Sequence, residues 1–332
     1  MGQIRVMILD SVIIGAGPAG IAVASELQKA GLEFRIYDKG PIGNHIMQFP
    51  VFMQFFSSRE FLEIDKFPLA VPEEKPDRQQ YLSYLRSFVS WHKLPLETFT
   101  EVTSVTKNND IFNVTVQRLD GTKETIQSKT VVAACGAYER PRKLGIPGED
   151  LPFASHHFTE PHKYFGKKVM VVGGRNSAIE TALILFRNGA DVSLSYRGKD
   201  FSESSIKYWI RPDIEGRIAK NEIKGYFETV PREILPGKVI LADKDGRETE
   251  VKTDFVLMMT GYEPPLDFLK KIGVPFPPDS PVPLHNPETL ETENPGMFVA
   301  GVVTAGNISG RVFIENSRHH GELITRRIIK II

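Results

Sequence analysis

"VVGGRNSAIE", residues 171–180, stands halfway along a chain of 332 residues and repeats the pattern of "VIIGAGPAGI" at 12–21. Each is an apolar, β-prone run that ends in glycines and passes into a helix-forming stretch, which predicts strand, tight turn and helix. In the first copy Gly15-Ala16-Gly17-Pro18-Ala19-Gly20 is a complete G-x-G-x-x-G. Gly15 permits the turn, Gly17 lets backbone approach a pyrophosphate, and Gly20 lets the helix lie close on its strand. The helix N-terminus supplies amide donors and positive potential. In the second copy Gly173-Gly174 runs into Arg175, Asn176, Ser177 and Ala178, with the arginine where the first copy has its middle glycine. A side chain there hinders backbone contact with a pyrophosphate unless the loop stands further off and the guanidinium reaches the phosphates itself. An arginine turned to solvent is the other reading, and the sequence leaves both open.

The flanks give the loops their context. The first helix spans about Pro18–Lys29 with Gly31 as its stop, and the strand Phe34–Tyr37 follows, ending before Asp38. This is a βαβ unit, with parallel strands and a right-handed crossover. An acid at Asp38 is placed to accept hydrogen bonds from an adenosine ribose. The second copy predicts strand Lys168–Val172, a helix to about Arg187, Asn188-Gly189 as terminator, and strand Asp191–Tyr196. Tyr196 stands as far after Gly173 as Asp38 after Gly15, and Arg197 and Lys199 follow it with no carboxylate. A basic pair suits a 2′-phosphate and predicts NADPH over NADH, the alternative being a solvated surface pair. Two loops imply two dinucleotides, one kept and one exchanged, and the usual pair is FAD with NAD(P)H.

Between the loops, residues 99–134 alternate with period two around Asn108-Asn109-Asp110 and Asp120-Gly121, which predicts a small antiparallel meander. "PRKLGIPGEDLP" (141–152) and "YEPP" (262–265) are Pro-rich breaks, and Asp245-Gly246 marks a hairpin. The predicted fold class is α/β: two Rossmann-like, doubly wound, three-layer domains, the second inserted into the first. The boundaries are 1–145 for the first part of the FAD domain, 153–263 for the inserted NADPH domain and 266–332 for the resumed FAD domain. A strand at "MFVAG" (297–301) and one long final helix from near Arg311 complete the chain.

Composition narrows the partners. Forty-one basic residues balance 41 acidic ones with no long run of either sign, which argues against nucleic-acid and membrane-surface binding. Cys135 is the one cysteine, so no intramolecular disulfide can form, and a cytoplasmic location is predicted. Asp10 within the first apolar stretch argues against a signal peptide, and no apolar run reaches the roughly 18 residues of a membrane span. His156-His157 and His319-His320 are adjacent pairs without metal-ligand spacing, so they read as surface or loop histidines and no metal is predicted.

"GAGPAG", "VVAACGAYERP", "VVGGRNSA" and "GMFVAGV" occur in the order seen in thioredoxin-reductase-like FAD/NAD(P)H oxidoreductases, which the chain resembles. "FFSS" (55–58), "SLSYRG", "DFVLMMTGYEP", "ETLETENPGMFVAGVVTAGN" and "FIENSRHHG" resemble the bacillithiol-disulfide reductase (YpdA) family, from about residue 10 to 325. The resemblance implies a cytosolic homodimer in which NADPH reduces a low-molecular-weight disulfide or a protein electron acceptor through FAD. It implies that Gly15, Ala16, Gly17, Pro18, Ala19, Gly20, Asp38, Lys39, Gly43 and Asn44 hold the adenosine and pyrophosphate side of FAD. Gly136, Gly301 and Val302 line its path toward the flavin, with amides around Ile314 facing a flavin carbonyl. On the NADPH side stand Gly173, Gly174, Arg175, Asn176, Ser177, Ala178, Tyr196, Arg197 and Lys199. Three departures stand out. The chain has no Cys-x-x-Cys, it has Ala19 where such reductases carry a cysteine, and Gly301-Val302 replaces the Gly-Asp of many relatives. Flavin monooxygenases share the approach "YFGKKVMVVGG" (164–174). Their F-x-G-x-x-x-H motif fails here, with Ser155 and Thr159 following Phe153 where the glycine and histidine belong. A ferredoxin or flavodoxin reductase, and a sensor that binds both nucleotides without turnover, remain as alternatives.

No catalytic side chain is assigned, because hydride passes between the two bound nucleotides. Cys135 reads as a small core thiol rather than a nucleophile. The apolar stretch "HIMQFPVFMQFF" (45–56) reads either as core or as a wall beside the isoalloxazine.

Overall fold

The structure is a computed structural model and describes residues 7–138, 140–201, 206–308 and 311–332. The start of the amino-terminal stretch, Glu139 of "VVAACGAYERP" and Ser309-Gly310 lie outside the described residues. The chain forms two compact units, one of Met1–Gln48, Phe52–Arg140 and Tyr262–Ile332, the other of Phe49–Val51 and Pro141–Gly261.

In the first unit, β1 (Ile8–Ile14) leads through the glycine loop into α1 (Pro18–Lys29) and back into β2 (Phe34–Tyr37). α1 buries Ile21, Val23, Ala24 and Leu27. The helix α2 (Arg78–His92) starts at a capping box, with Asp77 Oδ1 accepting from the Gln80 amide and Gln80 Oε1 from the Asp77 amide. After it come β3 (Leu96–Glu97), β4 (Thr100–Asn108), β5 (Ile111–Arg118) and β6 (Lys123–Ala133). The sheet order is β3-β2-β1-β6-β5-β4. The meander predicted for 99–134 is present but is not separate. β6 runs antiparallel to β5 over Lys123–Ser128, and then parallel to β1 over its last residues. Val12, Ile14, Val131 and Ala133 share one core with Val102, Val114 and Val116 of the meander.

The second unit opens with the Pro/Gly-rich segment 141–152, which is packed rather than slack. Leu144, Ile146 and Leu151 lie on the core, and the Glu149 carboxylate accepts the amides of Leu144 (2.6 Å) and Gly145 (2.7 Å). His156, read from sequence as a surface residue, is buried 3.0 Å from that same carboxylate, so tertiary packing overrides the bland expectation. His157 is half-buried, and burial holds its imidazole below the ordinary value.

β7 (Ala154–Ser155), β8 (Lys168–Val172), α3 (Asn176–Arg187), β9 (Asp191–Tyr196), α4 (Arg211–Ala219) and β10 (Lys224–Phe227) follow. β11 (Thr229–Leu235), β12 (Lys238–Asp243) and β13 (Glu248–Lys252) form an antiparallel sheet, and β14 (Phe255–Met258) returns beside β8. The parallel sheet runs β10-β9-β8-β14-β7. Alternate residues of β8 divide between its faces: Val169 and Val171 pack with Ile179 and Leu183 of α3, Met170 and Val172 with Ile234, Val239 and Leu241 of the antiparallel sheet. Three layers result.

The chain then rejoins the first unit. β15 (Met297–Val299) pairs in parallel with β6, and a short 3₁₀ turn (Gly301–Ala305) follows. The single final helix expected from Arg311 is instead two, α5 (Ile314–Ser317) and α6 (His320–Ile331). Both linking residues, Arg318 and His319, keep right-handed helical backbone, and tertiary contacts tie the link down. The Arg318 guanidinium donates to the carbonyls of Glu60 (2.6 Å) and Glu63 (3.3 Å). Gly321 brings α6 so close to α1 that an added Cβ would lie 2.5 Å from the Ala22 carbonyl oxygen.

Candidate functional site

The first glycine loop is built so that one glycine has open space where a side chain would stand. Gly15 sits at φ +112°, where L side chains are strained, and an added Cβ would lie 2.5 Å from the Ala134 carbonyl oxygen. A Cβ on Gly20 would lie 2.0 Å from the Gly15 carbonyl oxygen, so helix and turn touch through backbone alone. A Cβ on Gly17 would meet nothing within 4 Å. Gly17 is also the N-cap of α1, extended and without a side-chain cap, and Pro18 follows it. An open glycine at an uncapped helix N-terminus fits an anionic group such as a pyrophosphate.

Asp38 is tied to this loop. Its Oδ2 accepts the Ala16 amide at 2.7 Å and its Oδ1 the Gly40 amide at 2.8 Å. Burial pushes its carboxyl above the ordinary value, against those two amides and the neighbouring His45 and Lys39. A carboxylate has about four acceptor sites, so it retains capacity toward a ribose. Gly43 donates its amide to the Ala16 carbonyl at 3.0 Å, and Asn44 lies across Gly40, where an added Cβ would come within 2.5 Å of it. Lys39 is exposed.

Two further stretches reach the same loop. Gly136 lies against His45, an added Cβ falling 2.4 Å from Nδ1, and Cys135 is half-buried beside it. Gly301, at φ +73°, lies against Ala19, with 2.8 Å between an added Cβ and the Ala19 methyl. The Gly301 amide donates to Nδ1 of His320 at 3.1 Å, and its carbonyl accepts the Thr304 hydroxyl at 2.8 Å. Val302 is half-buried in this turn, and Ile314 opens α5, which packs on α1 and on the turn. In the 45–56 stretch Ile46 and Phe55 are buried, Phe55 edge-on to Tyr81 at 4.9 Å, while Met47, Phe52 and Phe56 are exposed.

The second unit repeats the loop with different filling. Gly173 donates its amide to the Ser195 carbonyl, and an added Cβ would lie 2.6 Å from the Met259 carbonyl oxygen. At Gly174 a Cβ would come within 2.2 Å of the Tyr196 ring, which stacks on Phe201. Arg175 is the exposed, extended N-cap of α3, again without a side-chain cap. Asn176 accepts the Lys207 amide at 2.8 Å, Ser177 is exposed and Ala178 is buried. Arg197 and Lys199 are exposed just past the end of β9.

Two residues escaped the sequence reading. His320 was read as a surface residue, yet burial, with His285 and His319 adding to it, pushes its imidazole down to about 4. On α3, burial pushes the Glu180 carboxyl up to about 7, tempered by the positive charge of Lys207. Between the ordinary 4.5 and about 7 the folded chain holds this proton better than the unfolded chain, so stability falls as pH rises through that window. Glu180→Gln therefore raises the thermal unfolding midpoint relative to wild type at pH 8 and leaves it unchanged at pH 4, as measured by differential scanning fluorimetry. An unaltered midpoint at pH 8 contradicts this. Among the described residues no cluster of acids, histidines or cysteines could hold a metal, and no helix is long and apolar enough to cross a membrane.

Residues 12–301 match the model of the pyridine nucleotide-disulphide oxidoreductase family. The chain is 39% identical over 321 residues to the bacilliredoxin reductase Bdr of Bacillus subtilis (strain 168), covering 96% of this chain and 97% of that protein. Its structure is similar to that of the bacillithiol disulfide reductase Bdr (YpdA) of Bacillus cereus, at TM-score 0.94 and 38% identity over 98% and 99% of the two chains. The thioredoxin reductase of Lactococcus lactis shares the fold alone, at TM-score 0.75 and 20% identity over 97% and 98%. The chain therefore belongs to the pyridine nucleotide-disulphide oxidoreductase family, as an FAD-dependent oxidoreductase similar to the bacillithiol disulfide reductases.

Proposed function

We propose that this enzyme uses NADPH to reduce a low-molecular-weight disulfide of the bacillithiol type, or a protein acceptor, as a cytoplasmic homodimer. FAD is assigned to 1–145 and 266–332, and NADPH to 153–263. The observation that carries this reading is the pair of uncapped helix N-termini, α1 behind open Gly17 and α3 behind Arg175, each at the end of a parallel strand. Supporting it are the names of the relatives it resembles and the basic pair Arg197 and Lys199 after β9.

A flavin held here would supply two-electron redox chemistry between a nicotinamide and the acceptor. The chain's part is to bind and orient. Gly15, Ala16, Gly17, Pro18, Ala19 and Gly20 give the pyrophosphate backbone and helix potential, and Asp38, Lys39, Gly43 and Asn44 flank the adenosine. Gly136, Gly301, Val302 and Ile314 line the remainder. Gly173, Gly174, Arg175, Asn176, Ser177 and Ala178 take the second pyrophosphate. Tyr196 walls that loop, and Arg197 and Lys199 take the 2′-phosphate. Ala19 offers no thiol, and Cys135 is the chain's single cysteine, so no protein dithiol relays electrons. On this reading the acceptor reacts at the flavin directly.

The test is anaerobic. Protein reduced with NADPH is mixed with bacillithiol disulfide, a bacilliredoxin disulfide or ferredoxin, and flavin reoxidation is followed. Rapid reoxidation by a disulfide supports the proposal, and Cys135→Ser retains it. Reoxidation by ferredoxin alone overturns the disulfide assignment in favour of a protein electron carrier, and loss of turnover in Cys135→Ser overturns the thiol-free route.

A further inference from the structure

The Gly301-Val302 turn of the first unit's site is held partly from outside the glycine loop. Val302 has no polar atom in its side chain to fix the turn or a ligand. Gly301 is nonetheless pinned on three sides. Its α-carbon faces the Ala19 methyl, its carbonyl accepts the Thr304 hydroxyl at 2.8 Å, and its amide donates to Nδ1 of His320 at 3.1 Å. His320 is itself fixed as the first residue of α6, whose next residue, Gly321, presses onto the α1 backbone at Ala22. The imidazole thus links the start of α6 to the turn beside Ala19.

We propose that His320 is a positioning residue for the flavin: its neutral imidazole, accepting at Nδ1, holds the Gly301 amide and so sets the Gly301-Val302 turn against the glycine loop. This rests on the reading that the first unit holds FAD. Accepting at Nδ1 requires the proton to sit on Nε2. The surroundings favour that neutral form. Burial disfavours the charged ring, and the neighbouring imidazoles of His285 and His319 act in the same direction. The His285 ring is in turn fixed by the Pro283 carbonyl, 2.7 Å from its Nδ1, and His319 Nε2 lies 3.4 Å from Nε of Arg318. Among the described residues, the causes of the shift in His320 are its burial and two imidazoles, all of which oppose the cation.

The experiment compares His320→Leu and His320→Asn with wild type as purified holoenzymes. An asparagine side-chain oxygen can occupy the Nδ1 acceptor position, whereas leucine fills space without accepting. FAD dissociation is measured by equilibrium dialysis, and the flavin midpoint potential by anaerobic dye-coupled reduction. His320→Leu is expected to bind FAD about tenfold more weakly, the worth of one hydrogen bond, and to shift the potential. His320→Asn should stay within about twofold on the same scale. His320→Gln, whose acceptor reaches the Nε2 rather than the Nδ1 position, carries the same expectation as leucine and serves if the leucine variant does not fold. Wild-type affinity and potential in the leucine and glutamine variants overturn the proposal, as does an asparagine variant as defective as they are. Wild-type protein that binds no FAD overturns both this inference and the flavin reading beneath it, whereas equal FAD binding and potential throughout overturn this inference alone.

Discussion

Gly17→Asp yields a folded protein that no longer keeps FAD. The backbone at Gly17 is extended, with φ −82° and ψ 179°, and nothing lies within 4 Å of an added Cβ, so an aspartate costs the fold little. The same space is where a pyrophosphate meets the α1 N-terminus, and a carboxylate there repels it. Two like charges about 4 Å apart cost about 4 kcal/mol at the effective dielectric near a protein surface, roughly a thousandfold in affinity. The check is the absorption spectrum of the purified variant beside its circular dichroism, with an unchanged far-ultraviolet signal and no bound flavin expected. Gly20→Ala makes the contrast, because its Cβ would fall 2.0 Å from the Gly15 carbonyl oxygen and the loop itself must move. A Gly17→Asp protein that retains its flavin would remove the pyrophosphate from this loop.

Arg197→Ala separates the two pyridine nucleotides. The guanidinium is exposed just beyond β9, the place where a 2′-phosphate lies if the nucleotide runs from the α3 N-terminus toward the strand end. A charge-assisted hydrogen bond is worth roughly 1.5–3 kcal/mol, about ten- to a hundredfold in affinity. NADPH binding should weaken by that factor and NADH binding should stay as it was, measured as the nucleotide dependence of flavin reduction in stopped flow. Equal weakening of both would point to a general loss of loop structure. No change in either would return Arg197 to the role of a solvated side chain.

The contrast between what the sequence disclosed and what it hid follows from the range of the forces involved. The helix Pro18–Lys29 and the strands Phe34–Tyr37, Lys168–Val172 and Asp191–Tyr196 were legible to the residue, because glycine punctuation and apolar periodicity are local. β6 was legible as a strand but not as the piece that joins meander to parallel sheet, since that depends on partners far along the chain. The contacts of Arg318 at the link between α5 and α6 were hidden for the same reason: the Glu60 and Glu63 carbonyls it meets stand some 250 positions earlier. Of the candidate site, the glycines could be named from spacing alone. His320 and Glu180 could not, because their perturbed acidities come from burial that no pattern of neighbours reveals. Asp38 lies between these cases, its position legible and its engagement with the Ala16 and Gly40 amides not.

The most direct test of the account is a visible absorption spectrum of the freshly purified protein, followed by anaerobic addition of one equivalent of NADPH. The account predicts a yellow protein with an oxidised-flavin spectrum that bleaches on mixing. A colourless protein that takes up no added FAD, or a bound flavin that stays oxidised with NADPH present, would contradict it.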